Sequence, residues 1–204
     1  MGPLLMLFRS EAANFKIDYM KKIIFLCHGN ICRSPMAEYV MKDLVRKAGR
    51  SDEFEITSGA VSDEEWGNPI YPPAQRKLRE KGVAFGHHSA HKISRAEFDA
   101  QDLVVVMDHS NLRWLSRIVP DHAFALAGAS LAGSWDSDHA SLATSGISGH
   151  ADDFDGSGIT KKVHLMMSFV GEDRDVADPW YTGDFEKTYQ DVLAGCSALL
   201  AMLK

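Results

Sequence analysis

Residues 23–38 of this chain, IIFLCHGNICRSPMAE, leave little freedom in what can be built around them. The run Ile23, Ile24, Phe25, Leu26 is short, apolar and partly β-branched, which predicts a buried strand. It delivers Cys27 to a loop, His28, Gly29, Asn30, Ile31 and Cys32, that closes on Arg33, Ser34 and Pro35. Beyond the loop, Met36, Ala37, Tyr39, Val40, Leu44 and Val45 recur at helical spacing. A helix N-terminus carries unpaired N–H groups and the positive end of the macrodipole, so it draws anions. A loop that curls successive amides inward forms a nest for a tetrahedral oxyanion. Phosphate or sulfate is therefore expected in the cup formed by His28 through Ser34. Gly29 lets the backbone pass close to such a ligand, and Asn30 tolerates a left-handed conformation. The planar fork of Arg33 can grip two phosphate oxygens at once. The same field favours a thiolate at Cys27 near neutral pH and makes it the candidate nucleophile. Pro35 falls in the first helical turn, where a proline sacrifices no hydrogen bond.

The rest of the chain repeats the pattern of strand followed by helix. After a helix ending near Gly49, Phe54 to Ala60 reads as a second strand. A loop from Val61 to Pro73 and a helix from Pro73 to Lys81 follow, the helix stopping at Gly82. A short helix is expected around Arg95 to Ala100. Leu103 to Met107 is another continuous apolar run, suited to a buried parallel strand. Ser110 or Asn111 could cap the helix after it. Val163 to Phe169 reads as the last strand, and Asp184 to Leu203 as a final helix. Strands alternating with helices imply a doubly wound parallel α/β sheet, with ligands bound beyond the carboxyl ends of the strands. Cys27 and Asp108 both fall at strand ends and should share one rim.

The spacing C-x5-R-S of Cys27, Arg33 and Ser34, set within C-x-G-N-I-C-R-S-P-x-A-E, resembles the low-molecular-weight protein tyrosine phosphatases. The resemblance runs from about Lys21 to Leu203, apart from one interruption. It implies a four-stranded sheet with helices on both faces and no cofactor or metal. It also implies hydrolysis of phosphotyrosine through a phosphocysteine on Cys27, with Asp178, in Asp178-Pro179-Trp180-Tyr181, as general acid. In the supporting shell it implies that Asp108 orients Arg33, and that a histidine of the pair His87 and His88, of which His88 is the better match, braces Asn30 and Ser34. Trp66, Trp180 and Tyr181 are expected to wall an aromatic slot for the phenyl ring. Cys32 matches the family's second cysteine, so a reversible disulfide with Cys27 is expected to guard the nucleophile. Cys196, mid-helix among apolar residues, reads as core. Relatives acting on phosphoarginine carry Thr where this chain has Ile31. Relatives reducing arsenate need two further cysteines, and only Cys196 remains. A catalytically silent phosphoprotein reader is the rival from another class, disfavoured because Cys27, Arg33 and Asp178 are all present.

Composition narrows the partners. At 204 residues and 45% hydrophobic, the chain can bury one core, so residues 20–204 are expected to be a single domain. A net charge of −6 argues against nucleic acid. Three cysteines do not make a disulfide framework and point to a reducing, cytoplasmic setting. No run is long enough to span a membrane. The expected partners are phosphotyrosine proteins, tyrosine kinases among them. Residues 1–19 lack the features of a signal peptide or a myristoylation motif and read as a poorly ordered extension, with Met20 as an alternative first residue. The interruption, about 121–160, carries six aspartates and no Lys, Arg or Glu. It reads as a solvated acidic insertion. Within it, Asp153 to Gly158 imitates the start of a calcium loop but has His164 where the bidentate Glu belongs.

Overall fold

Four strands, β1 Lys21–Cys27, β2 Phe54–Ala60, β3 Leu103–Val106 and β4 Val163–Leu165, form one wholly parallel sheet in the order β2-β1-β3-β4. This is a computed structural model, and it describes residues 20–121 and 162–203. Residues 1–19, nearly all of the expected insertion and the calcium-like stretch lie outside the described residues. The helices are α1 Arg33–Lys47, α2 Pro72–Glu80, α3 Arg95–Asp99, α4 His109–Ile118, α5 Pro179–Thr182 and α6 Phe185–Met202.

The continuous apolar run of β1 is explained by burial on both faces. Its period of two splits the strand between two cores. Ile23, Phe25 and Cys27 pack with Met36, Val40 and Met41 of α1, Leu78 of α2, and Val192 and Leu199 of α6. Ile24 and Leu26 pack with Phe98 of α3 and with Leu112 and Leu115 of α4. Helices therefore cover both faces, as the alternating pattern predicts. The chain leaves β1 through α1 to β2 on one side, while β3 lies on the other. Between β1 and β3 the strand order reverses, and the crevice at their carboxyl ends is where such sheets bind ligands. Cys27 closes β1, and Asp108 stands two residues past Val106. Both candidate residues are delivered to this crevice by the topology itself.

Two local expectations need correction. The last strand ends at Leu165, and Met166–Val170 tightens into a 3-10 turn closed by Gly171 in the left-handed region, at φ 77°. Met166, Met167 and Phe169 all join the core on the α6 side of the sheet, which a strand sending successive side chains to opposite faces could not do. The cap of α4 is Asp108, whose side chain accepts from the Asn111 amide, rather than Ser110 or Asn111.

The 3-10 turn also makes a tight joint with α6. A Cβ at Gly195 would meet the Sδ of Met166 and sit 2.9 Å from its carbonyl oxygen. Alanine there gains about 1 kcal/mol of helix propensity but forces α6 off the turn, an overpacking cost of about 1–3 kcal/mol. Backbone as well as side chain blocks the space, which puts the cost at the upper end of that range, so Gly195→Ala is expected to lose about 2 kcal/mol net, or roughly 4–8 °C in Tm. A thermal melt at or above the wild-type Tm would refute this packing account.

Candidate active site

The phosphate loop is tied to the body through its carbonyls. Cys27 O accepts from Val61 N at 3.0 Å and His28 O from Ser62 N at 3.1 Å. Ile31 O accepts from Tyr71 N at 2.8 Å, and Cys32 O from Met36 N at 3.2 Å. His88 Nε2 donates to Asn30 O at 2.7 Å. With its carbonyls engaged outward, the loop leaves its N–H groups for an anion at the start of α1. Asn30 adopts φ 57°, the left-handed value anticipated for it, and is the only non-glycine residue with positive φ among the described residues.

Beneath the loop lies a buried polar network. Asn30 Nδ2 donates to Ser34 Oγ and to Ser58 Oγ, each at 2.9 Å. Ser58 Oγ donates to Glu38 Oε2 at 2.6 Å. Ser34 Oγ lies 3.0 Å from Cys27 Sγ and 3.1 Å from the Gly59 carbonyl. The side chain of Asn30 is thus the beam that holds a strained loop, and its geometry fixes the hydroxyl beside the sulfur. Ser58 and Glu38 were missed from sequence. The signal was there in a hydroxyl at an otherwise buried strand position and a Glu on the inner side of α1.

Arg33 is 3% exposed and spans two carboxylates. One terminal nitrogen, Nη1, donates to Asp108 Oδ2 at 2.5 Å and to Val176 O at 3.3 Å, while Nη2 donates to Asp178 Oδ2 at 2.5 Å. Burial works against its charge, but Cys27, Asp178 and Asp108 outweigh it, and the guanidinium pKa is raised. Asp108 uses one oxygen to cap α4 and the other to orient Arg33. Asp178 caps α5, accepting from Trp180 N at 3.1 Å. Burial, followed by the neighbouring Cys27, pushes the Cys32 thiol well above its ordinary range. Cys196 is fully buried in the core beneath α1.

Cys27, Arg33 and Asp178 line one cavity of about 430 Å³, together with Trp180 and Tyr181. Trp66 does not join them. It is 68% exposed, because the turn between Asp63 and Asn68 sends Glu64 and Glu65 to the cavity and leaves Trp66 outside. Its place as an aromatic wall is filled by Trp114 of α4, also missed from sequence. The clue was its position between Leu112 and Leu115, whose burial turns Trp114 outward. Among the described residues, no cluster of side chains could hold a metal ion, and no helix is long and apolar enough to cross a membrane.

His88 supplies a pH test of the loop's support. Burial holds its pKa below the ordinary histidine value, against the pull of the Asn30 carbonyl. A folded-state pKa below the unfolded value of about 6.5 means that its contribution is fully present above that pH. It is lost as pH falls through the folded pKa. His91 runs the opposite way, its pKa raised by Glu97. The difference between wild-type and His88→Gln stability curves isolates the first effect. It should be flat above about pH 6.5 and fall below it. Urea unfolding at each pH measures this, and a flat difference down to pH 5 would refute it.

The sequence profile described as "Low molecular weight phosphotyrosine protein phosphatase" matches residues 22–130. The chain is 30% identical over 188 residues to the low molecular weight protein-tyrosine-phosphatase YfkJ of Bacillus subtilis, covering 91% of this chain and 97% of YfkJ. It is 36% identical over 180 residues to the low molecular weight phosphotyrosine protein phosphatase of Rattus norvegicus, covering 88% of this chain and 94% of that one. The crystal structure of SP-PTP, a low molecular weight protein tyrosine phosphatase from Streptococcus pyogenes, superposes with a TM-score of 0.65 at 34% identity. That superposition covers 91% of this chain and 94% of SP-PTP. A parallel sheet that carries a cysteine and an arginine to its switch point, and these matches along most of the chain, lead to one conclusion: the chain belongs to the low molecular weight phosphotyrosine protein phosphatase family.

Proposed function

We propose that the chain hydrolyses phosphotyrosine in proteins by way of a phosphocysteine on Cys27. The single observation that carries this reading is the sharing of one cavity by Cys27, Arg33 and Asp178, at the N-terminus of α1. The dianion is held by the amides from His28 to Ser34 and by the fork of Arg33. Cys27 attacks phosphorus in line, forming the S–P bond as the ester O–P bond breaks. Asp178 gives its proton to the departing phenoxide. In the described state its carboxylate rests on Arg33 Nη2; an arriving phosphoryl group competes for that nitrogen and displaces Asp178, which takes up a proton from solvent and then faces the leaving oxygen. Asp178 then takes a proton from water as the water attacks phosphorus and the S–P bond breaks. Ser34 Oγ, 3.0 Å from the sulfur, donates to the thiolate as it leaves.

Several observations favour an aryl ester. Trp180 and Tyr181 stand at the mouth, with Trp180 braced on Tyr71 at a ring separation of 5.1 Å. Ile31 stands where phosphoarginine enzymes of this fold carry Thr. Substrates are phosphotyrosine proteins, and tyrosine kinases are candidates among them. All three cysteines are free, which suits a reducing compartment, and we place the enzyme in the cytoplasm. A panel of phosphotyrosine, phosphoserine and phosphoarginine peptides, with para-nitrophenyl phosphate as reference, tests the reading. Phosphotyrosine should exceed the other two by at least tenfold in kcat/KM. Preference for phosphoarginine would overturn the substrate assignment, and failure to turn over the reference would overturn the enzyme.

A further inference from the structure

The mouth of the cavity carries more negative charge than its chemistry requires. Asp108 and Asp178 both rest on Arg33. Glu64 and Glu65 line the same cavity, and among the described residues neither has a lysine or arginine within ion-pair reach. Glu64 Oε2 lies 3.1 Å from His28 Nε2, and its side chain is 65% exposed. Glu65 accepts from Asn68 Nδ2 at 2.6 Å. Its Cγ occupies the space above Gly29, where a Cβ would come within 2.8 Å of it. This places the carboxylate stem directly over the phosphate loop. Arg117 stacks on Trp114, 5.0 Å from the ring centroid, and is not among the cavity's lining residues.

A second, independent observation bears on the same mouth. Trp180 is 54% exposed, Tyr181 86% and Trp114 36%. Aromatic faces in a cavity attract cations through the ring quadrupole, and Trp114 already receives one guanidinium in this way. Carboxylates and open aromatic faces together are the chemistry that recognises a lysine or arginine side chain. An acidic rim, moreover, weakens the hold on a phosphate dianion, and positive charge on the segment that bears it offsets this.

We infer that Glu64 and Glu65, with the exposed faces of Trp180 and Tyr181, select phosphotyrosine segments that carry lysine or arginine next to the phosphotyrosine. This rests on the phosphatase reading and sharpens its substrate class. It makes Glu64 and Glu65 specificity residues and gives the cavity wall a sign.

The test compares two phosphotyrosine peptides of equal length, one flanked by arginines and one by glutamates. The readout is the ratio of their kcat/KM values in one preparation, which is insensitive to overall activity. At 20 mM salt the basic peptide is expected to lead by about threefold to tenfold, the scale of one or two exposed ion pairs. The lead should shrink towards one at 0.5 M salt, where screening reaches within a few ångströms. It should shrink likewise in Glu64→Gln/Glu65→Gln, or in the single variants if the double variant loses its far-UV signal. A ratio of one or less in the wild type, or a preference that survives both salt and substitution, overturns the inference. Turnover of para-nitrophenyl phosphate without peptide discrimination sinks only the inference. If nothing is turned over, the Kd ratio of the same peptides, read by fluorescence anisotropy, decides it. A basic preference there upholds charge selection while the phosphatase reading falls, and equal affinities remove both.

Discussion

Cys27→Ser is expected to lower the turnover of para-nitrophenyl phosphate by at least about a thousandfold while leaving the fold intact. Serine is slightly smaller than cysteine, and Cys27 is 3% exposed inside a packed strand end, so the variant leaves only a small void and adds no bulk. What changes is the nucleophile. A serine hydroxyl must be deprotonated by a neighbouring base before it can attack phosphorus, and among the described residues no base is hydrogen-bonded to Cys27 Sγ. The polar atom beside Cys27 Sγ is Ser34 Oγ, itself a hydroxyl, and Asp178 is turned towards Arg33. Anion binding, which depends on loop amides and Arg33, should survive. The assay therefore pairs turnover with inorganic phosphate binding by calorimetry. Loss of turnover with binding retained supports the covalent route. Activity above about one per cent of wild type, with the protein folded, would remove Cys27 from the mechanism.

Much of this site was legible in sequence because its residues act locally. Gly29, Asn30, Ser34 and Pro35 each answer to a backbone requirement within ten residues of Cys27, and Asn30 indeed takes the left-handed conformation. The order of strand and helix was legible too, since buried parallel strands such as Ile23 to Leu26 and Leu103 to Val106 are apolar throughout. Side-chain direction in irregular segments was not. Glu64, Glu65 and Trp66 are consecutive, and only the hydrogen bonds Trp66 N to Asp63 O and Asn68 N to Glu65 O decide which of them faces the cavity. The cap of α4 was ambiguous for a similar reason. Asp108, Ser110 and Asn111 are all good caps, and a carboxylate with two oxygens can both cap a helix and hold Arg33. Nor does periodicity reveal where a strand stops when the following residues are equally apolar, as from Val163 to Phe169.

Arg33→Lys is the second large effect, and it separates charge from geometry. Lysine keeps the positive charge but presents it as a single point on a flexible stem. Arg33 does three things at once: Nη1 engages Asp108 and the Val176 carbonyl, and Nη2 engages Asp178. One ammonium cannot reach both carboxylates and also offer two parallel donors to equatorial phosphoryl oxygens. Those donors matter most when charge spreads over the transferring group, so the loss should fall on kcat more than on KM. We expect kcat to drop by about a hundredfold to a thousandfold, with KM changing by less than about tenfold. Asp108→Asn provides the control for orientation. It keeps one oxygen acceptor, enough for either the Asn111 amide or Arg33, turns an NH2 group towards the other, and removes the charge that steadies the guanidinium; its expected loss is about tenfold. If Arg33→Lys retained more than a third of wild-type kcat, point charge alone would suffice and the two-pronged grip would be wrong. If Asp108→Asn proved the more damaging variant, the site would depend on the carboxylate itself, and Arg33 would be the residue it holds in reserve.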